Sequence, residues 1–172
     1  MLHRLPRPVL TFALGLCLAV LSAALPAQAQ DVQISFGSSL RLDDSALEVT
    51  ADSLEVDQTT GASIFSGNVL AVQGQMRISA GSLRLEYEPG ARAGTQRIGT
   101  LTAVGDVAMV TDFEAIEARR AVYSMSAQTL EMTGDVVLVQ GANLLSGERF
   151  VADLRAGTGR MIGRVRTIIQ LD

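Results

Sequence analysis

The feature that most constrains this chain is a short unit of glycine, a polar residue and valine that recurs within alternating segments. Gly67-Asn68-Val69 is the first copy, Gly134-Asp135-Val136 lies 67 residues later, and Gly105-Asp106-Val107 lies between them. Around these units apolar and polar residues alternate, as in Met76 to Ala80, which is typical of strands with one buried and one solvated face. A repeat of this kind predicts strands stacked side by side over one continuous apolar seam.

Turn-forming residues separate most of these segments at intervals of about ten residues, which is the spacing expected of an all-β domain. The predicted turns are Asp57 to Gly61, Gln73 to Gln75, Glu88 to Gly90, Ala127-Gln128, Gln140-Gly141 and Arg155 to Gly157.

The 67-residue offset keeps apolar residues on the same strand face in both copies. It relates Phe65 to Met132, Val69 to Val136, Ala71 to Leu138, Val56 to Tyr123, and Leu83 to Phe150. Each glycine could open a tight hairpin or bend a continuous strand, and we favour the bend because it keeps Phe65 and Val69 on one face. Long strands that all bend at a similar point predict a V-shaped or rolled sheet that is apolar inside its fold.

The N-terminus is predicted to be a cleaved secretory signal peptide. Arg4 and Arg7 are followed by the apolar run Val9 to Val20 and by the small-residue cleavage pattern Ala27-Gln28-Ala29. We therefore expect residues 1–29 to be removed, residues 30–46 to be a lead-in segment, either a loose one or an early edge strand, and residues 47–170 to form one domain. An uncleaved membrane anchor is the competing interpretation.

The processed chain lacks the side chains that most enzymes use. Its 12 arginines stand against 18 carboxylates, a net charge of −6, which argues against a nucleic-acid partner. The only histidine and the only cysteine, His3 and Cys17, lie in the signal segment, so we expect no catalytic residue, metal site or cofactor. The densest carboxylates fall on predicted outer faces or near a turn and are interpreted as solvated charges: Asp106, Asp112, Glu114 and Glu117.

The ordered motifs resemble the LptA/OstA family of periplasmic lipopolysaccharide-transport proteins of Gram-negative bacteria. The resemblance rests on Leu47 to Tyr87, with Ala51 to Leu54 and Phe65 to Val69, and on the second copy from Ala118 to Leu154. It implies a twisted, open antiparallel β-jelly roll built from repeated bent strands (OstA-like), with an apolar groove for the lipid A part of lipopolysaccharide. It also implies head-to-tail self-association and a bridge between inner-membrane and outer-membrane transport components. The absence of lysine and the short end after Ile169 depart from better-known members.

The alternation assigns a set of residues to the inside of the bent sheet. Their simplest interpretation is the packed core of a β-sandwich; with the resemblance, we expect them to line a lipid-binding groove. Tyr123 and Met125 are the strongest single candidates because they lie in the matching central strand. The predicted groove residues are Val49, Leu54, Val56, Phe65, Val69, Val107, Met109, Tyr123, Met125, Met132, Val136 and Leu138.

Two further surfaces are candidates for contacts. Arg160, Arg164 and Arg166 could bind lipid A phosphates, but a solvated outer face is the favoured interpretation. The first strand near Leu47 to Ala51 and the last near Val165 to Gln170 are expected to be sheet edges open to strand addition. The alternative functions are a membrane-anchored sister component of the same transport machine and a periplasmic β-repeat scaffold that carries nothing.

Overall fold

A computed structural model describes residues 33–35, 45–88 and 97–170, which form eleven β-strands and no helix. The all-β class is therefore confirmed. The predicted signal peptide, most of the lead-in segment and the end of the turn at Glu88 to Gly90 lie outside the described residues. The strands are β1 (Gln33–Ser35), β2 (Glu48–Thr50), β3 (Ser53–Val56), β4 (Ser63–Gln73), β5 (Met76–Tyr87), β6 (Ile98–Val110), β7 (Glu114–Ser124), β8 (Thr129–Gln140), β9 (Asn143–Asp153), β10 (Thr158–Ile162) and β11 (Arg166–Ile168).

All eleven strands belong to one antiparallel sheet. Strands β4 to β9 pair with their neighbours in chain order, β2 and β3 both pair with β4, and β10 and β11 both pair with β9. The three residues of β1 pair with β10. β2 and β3 pair with successive parts of β4, and β10 and β11 pair with successive parts of β9. Each of these two pairs of short strands therefore acts as one interrupted edge strand. The sheet thus runs from a β2–β3 edge to a β10–β11 edge, of which β1 covers part.

Five of the predicted turns are present in the described residues, and one further turn was not predicted. At Asp57 the side-chain carboxylate accepts hydrogen bonds from the Thr59 N–H at 2.8 Å and from the Thr60 hydroxyl at 2.8 Å. The additional turn joins β6 to β7 at residues 111–113, where Thr111 Oγ1 accepts a hydrogen bond from the Glu114 N–H at 3.1 Å. It contains Asp112 but no glycine or proline, so its composition is a weaker turn signal than that of the predicted turns.

The glycine units are bends inside long strands, as the sequence predicted. Both residues of each pair have positive φ, for example 88° at Gly134 and 50° at Asp135. On β8 these two residues oppose the single residue Glu148 of β9, which is a β-bulge. The same shift in register occurs in β4 at Gly67-Asn68 and in β6 at Gly105-Asp106. The bulges lie side by side and form a line across the sheet.

The sheet folds along this line and covers its own apolar face. We call the part of the sheet on one side of this line the Phe150 half; it contains the strand segments that carry Leu83 and Phe150. The part on the other side is the Leu138 half, which contains the segments that carry Ile78 and Leu138. These four side chains are at most 3% exposed and belong to one core cluster, although they lie on the same face of one sheet. The two halves must therefore pack against each other.

Candidate functional site

The inner face of the sheet, meaning the face that both halves turn toward the core, is apolar from one edge to the other. One apolar row crosses the sheet through directly paired residues, so all of their side chains share one face. From the first edge to the last, the row is Leu54, Phe65, Leu83, Ala103, Ala121, Met132, Phe150 and Met161.

The structure brings the twelve predicted groove residues to the inner face or to its margin. Seven of them are at most 2% exposed: Val69, Val107, Met109, Tyr123, Met132, Val136 and Leu138. Val49, Phe65 and Met125 are partly buried against the same core. Met125 does not lie in the central strand with Tyr123; it is in the turn after β7, where its N–H donates to the Gly99 carbonyl at 2.9 Å. The strand prediction for Met125 was wrong because β7 ends at Ser124.

Leu54 and Val56 are on the inner face but are not covered. Leu54 pairs with Phe65, and Val56 pairs with Ser63, which places both side chains on the face that carries the core. Their exposed fractions are 56% and 55%. The apolar face therefore continues past the packed core to an accessible strip at the β3 edge.

The vertex of the fold is made of small and β-branched inner residues beside the bulges. Val69 pairs with Ala80, Val107 pairs with Ala118, and Val136 pairs with Gly147. Large side chains at the vertex would keep the two halves apart, so the small residues let the sheet fold tightly. The inner positions Ala80, Ala118 and Gly147 were absent from the sequence prediction.

A fourth copy of the glycine unit was also missed. Gly163 and Arg164 have φ values of 78° and 39°, and Val165 follows them. This unit lies 29 residues after Gly134, which itself lies 29 residues after Gly105. Searching for that spacing would have found it even though arginine stands where the other copies have asparagine or aspartate.

The outer face carries polar pairs along the same line of bulges. Asn68 donates to Asp52 at 2.8 Å, Arg119 pairs with Asp135, and Arg164 pairs with Glu148 at 2.8 Å. The Arg164 side chain is 89% exposed. These contacts fit the favoured interpretation of the charges as a solvated outer face, and exposed pairs of this kind contribute little to stability.

Two other charged side chains, Arg149 and Glu114, form hydrogen bonds with neighbouring side chains. Arg149 donates two hydrogen bonds to Glu131, at 2.9 and 2.8 Å, and this carboxylate raises the pKa of Arg149. The interpretation of Glu114 as a solvated charge was wrong: it is buried, and its carboxylate accepts hydrogen bonds from Gln140 at 3.2 Å and from Thr111 at 3.3 Å.

The described residues contain no cluster of three or more histidine, cysteine or acidic side chains able to hold a metal ion. Within the same residues, no helix is long and apolar enough to cross a bilayer. The chemistry that the inner face offers is burial of apolar surface.

A bent, open antiparallel sheet with an apolar inner face defines the class of this protein as an LptA-like β-jelly roll. The chain belongs to the LptA/(LptD N-terminal domain) family of lipopolysaccharide transport proteins, whose sequence model matches residues 48–158. This confirms the family resemblance inferred from the motifs.

A solved structure supports the fold independently. The chain is similar to LptH of Pseudomonas aeruginosa, described as the LptA-homologous periplasmic component of the conserved lipopolysaccharide transport device. The TM-score is 0.64 at 17% sequence identity, over 74% of this chain and 96% of LptH. A search of the curated proteins finds no match.

Proposed function

We propose that this protein is a periplasmic carrier that shields the acyl chains of lipid A on its inner face during lipopolysaccharide transport. The observation that carries the proposal is the apolar row from Leu54 to Met161, which crosses the sheet from β3 to β10, together with the uncovered strip at Leu54 and Val56. Family membership supplies the class of cargo.

The physical demand on such a carrier matches this surface. Each methylene exposed to water costs about 0.8 kcal/mol, so a chain of about twelve carbons meets a barrier of order 10 kcal/mol to cross water unprotected. A carrier lowers this barrier by offering a continuous apolar wall. Strong specific bonds would instead trap the lipid, and the inner row provides apolar side chains.

Most of the inner face is covered by side chains of the opposite half, so lipid must displace these side chains to reach it. Tyr123 and Met132 are only 2% and 0% exposed, so acyl chains can contact them only when the two halves separate. We propose that lipid first contacts the open strip at Leu54 and Val56 and then moves inward between the halves. The methionines of the inner face favour this step because their unbranched side chains repack easily.

A photocrosslinking scan tests the carrier function. A photoreactive amino acid is placed singly at inner positions Leu54, Tyr123 and Met125, and at outer position Glu131 as the matched control. We expect lipopolysaccharide to be captured from the inner positions and not from Glu131. Capture from Glu131 alone would refute binding on the inner face.

We further propose that copies of the chain associate head to tail through their edge strands, and that the same edges contact inner-membrane and outer-membrane components. In the described pairings β2 contacts only β4, and β11 contacts only β9. Exposed apolar residues accompany both edges: Leu54 and Val56 beside β2, and Ile168 and Ile169 at β11. Joining the edges would bury these side chains and continue the sheet.

Charge supports the same arrangement. Exposed Glu48 lies on β2 and exposed Arg166 on β11, and both point from the outer face of the sheet. The pairings place Glu48 in the same row as Ile168, and Arg166 in the same row as Thr50. If these rows continued into the next copy, Glu48 and Arg166 would be diagonal neighbours, which long side chains can bridge. We expect Arg166→Glu to weaken self-association measured by analytical ultracentrifugation, and Glu48→Arg in the same chain to restore it. No rescue by the second substitution would contradict this pairing of edges.

The processing of the N-terminus is part of the proposal. We propose that residues 1–29 are cleaved and that the 47–170 domain acts without a membrane anchor. N-terminal sequencing of protein from the periplasmic fraction is expected to begin at Gln30. An intact N-terminus found with the membrane fraction would instead favour the anchored sister component.

A further inference from the structure

Gly147 is a glycine that the backbone does not require. It lies on β9 at the vertex of the inner face, opposite Val136 of β8. Its φ is outside the left-handed region, unlike that of the bulge glycines, so any residue could adopt its conformation. The equivalent vertex positions Ala80 and Ala118 carry a methyl group. The reason for glycine must be the space that the missing side chain leaves.

The side chain of Met161 occupies that space. A Cβ atom added to Gly147 would lie 2.7 Å from Met161 Cγ, 2.9 Å from its Sδ and 3.1 Å from the Ile162 carbonyl oxygen, and the two Met161 atoms are the closest. Met161 is 1% exposed and pairs across the sheet with the fully buried Phe150. Its side chain thus lies flat over the glycine, with Phe150 beside it.

Met161 also ends the inner row at the β10 edge. Among the described residues, β1 is the strand beyond it, and its three residues pair with β10 from Thr158 to Arg160. Residue 161 itself has no partner on that side among the described pairings. The inner row therefore ends in an unbranched, flexible side chain that rests on a glycine.

We propose that Met161 is a movable plug over an acyl-chain site whose floor is Gly147 and whose wall is Phe150. The end of an acyl chain displaces the methionine side chain and takes its place at the vertex. A thioether side chain suits this role because it has three rotatable bonds and packs well against both aromatic rings and methylenes. This inference rests on the proposed carrier function and names where one acyl chain would end.

The depth of the site sets a preference for chain length. Met161→Ala removes the plug and leaves room for further methylene groups. Burying each additional methylene tightens binding by about fourfold. A variant without the plug should therefore favour longer chains than the wild type does. If the role of Met161 were purely structural, Met161→Ala would weaken the binding of all chain lengths equally or leave it unchanged.

The test measures binding of fatty acids with ten, twelve and fourteen carbons to the processed chain, below their micellar concentrations. The wild type is compared with Met161→Ala and with a matched control, Met76→Ala, which removes another buried methionine that is not among the predicted groove residues. We expect Met161→Ala to increase the preference for fourteen over ten carbons by at least fourfold, and Met76→Ala to leave that ratio unchanged. Equal ratios in the two variants would overturn the plug. No binding of any fatty acid to any of the three proteins would overturn the carrier function and the plug together.

The main observation of a second measurement uses the wild-type protein. The methyl groups of methionine are labelled with ¹³C, and the Met161 signal is assigned with the conservative substitution Met161→Leu. Addition of dodecanoic acid to the wild type is expected to shift the Met161 signal, and Gly147→Ala is expected to shift it without lipid. Shifts at Met125 and Met132 with an unchanged Met161 signal would show a groove that binds lipid and a methionine that does not move, which refutes the plug alone.

Discussion

Replacing Gly134 with alanine tests why the sheet bends where it does. The residue has a φ of 88°, and a left-handed conformation costs a side-chain-bearing residue about 1–2 kcal/mol. A Cβ atom there would also lie 2.8 Å from Arg119 Cβ and 3.0 Å from its Cγ. Forcing an extra carbon into such a contact costs typically about 1–3 kcal/mol. We therefore expect Gly134→Ala to lower the free energy of unfolding by about 2–5 kcal/mol, the combined range of these two effects.

Gly141 provides the matched control. It also has positive φ, 58°, but a Cβ atom added there would meet nothing within 4 Å. Gly141→Ala should therefore cost only the conformational part, about 1–2 kcal/mol. Urea unfolding of both variants, with the midpoint and its slope recorded, separates the two contributions.

The Arg119 contact can be removed to complete the test. In an Arg119→Gly background the steric part is absent, and Gly134→Ala should cost no more than Gly141→Ala does. Equal costs of the two alanine substitutions in the wild-type background would refute the reasoning. Glycine would then be needed at the bulge for its conformation alone, and not for the close approach of β7 and β8.

Two further stability predictions concern a turn and the core. Hydrogen bonds from Thr60 and Thr59 hold the pKa of Asp57 below its ordinary value of 3.8, so its carboxylate stabilises the fold above that pH and loses this effect as the pH falls through the lowered pKa. Asp57→Asn should thus lower the urea midpoint at pH 7 and converge with the wild type in acid; a constant difference would argue against the charge. Phe150→Ala should cost about 3–5 kcal/mol because the ring is fully buried, whereas Val151→Ala, on the outer face, should cost about 1 kcal/mol or less by the same unfolding assay. Similar costs would contradict the assignment of the two faces.

The bent sheet could be predicted because its causes are local. The alternation around Phe65 and Met132 fixes which residues share a face, since side chains of a strand point to opposite sides in turn. Gly67 and Gly134 mark the bends because few other residues adopt positive φ without strain. Together these signals were sufficient to predict the all-β class, the positions of the bends and the face of the sheet on which most predicted groove residues lie.

Other features depend on neighbours that the sequence pattern does not reveal. Leu54 and Leu83 satisfy the same alternation, yet one is 56% exposed and the other is fully buried. Leu54 lies on the edge strand β3, which among the described residues pairs only with β4, whereas Leu83 lies on β5 between two paired strands. The β6–β7 turn depends on side-chain hydrogen bonds between Thr111 and Glu114, which turn composition does not signal. Gly147 was overlooked because the reason for it lies on another strand, in the close approach of the Met161 side chain and the Ile162 carbonyl oxygen.

The central claim is that lipid binds the inner face of the sheet, and one pair of variants tests it directly. Leu54 and Leu70 are both exposed leucines near the first edge, at 56% and 41%, but they lie on the inner and the outer face respectively. Neither is in the core, so aspartate at either position should leave the protein folded. Equilibrium binding of lipopolysaccharide is expected to weaken by about tenfold or more for Leu54→Asp, the loss expected when a leucine contact is removed, and to be unchanged for Leu70→Asp. Equal affinities for both variants, or a loss at Leu70 alone, would contradict binding on the inner face.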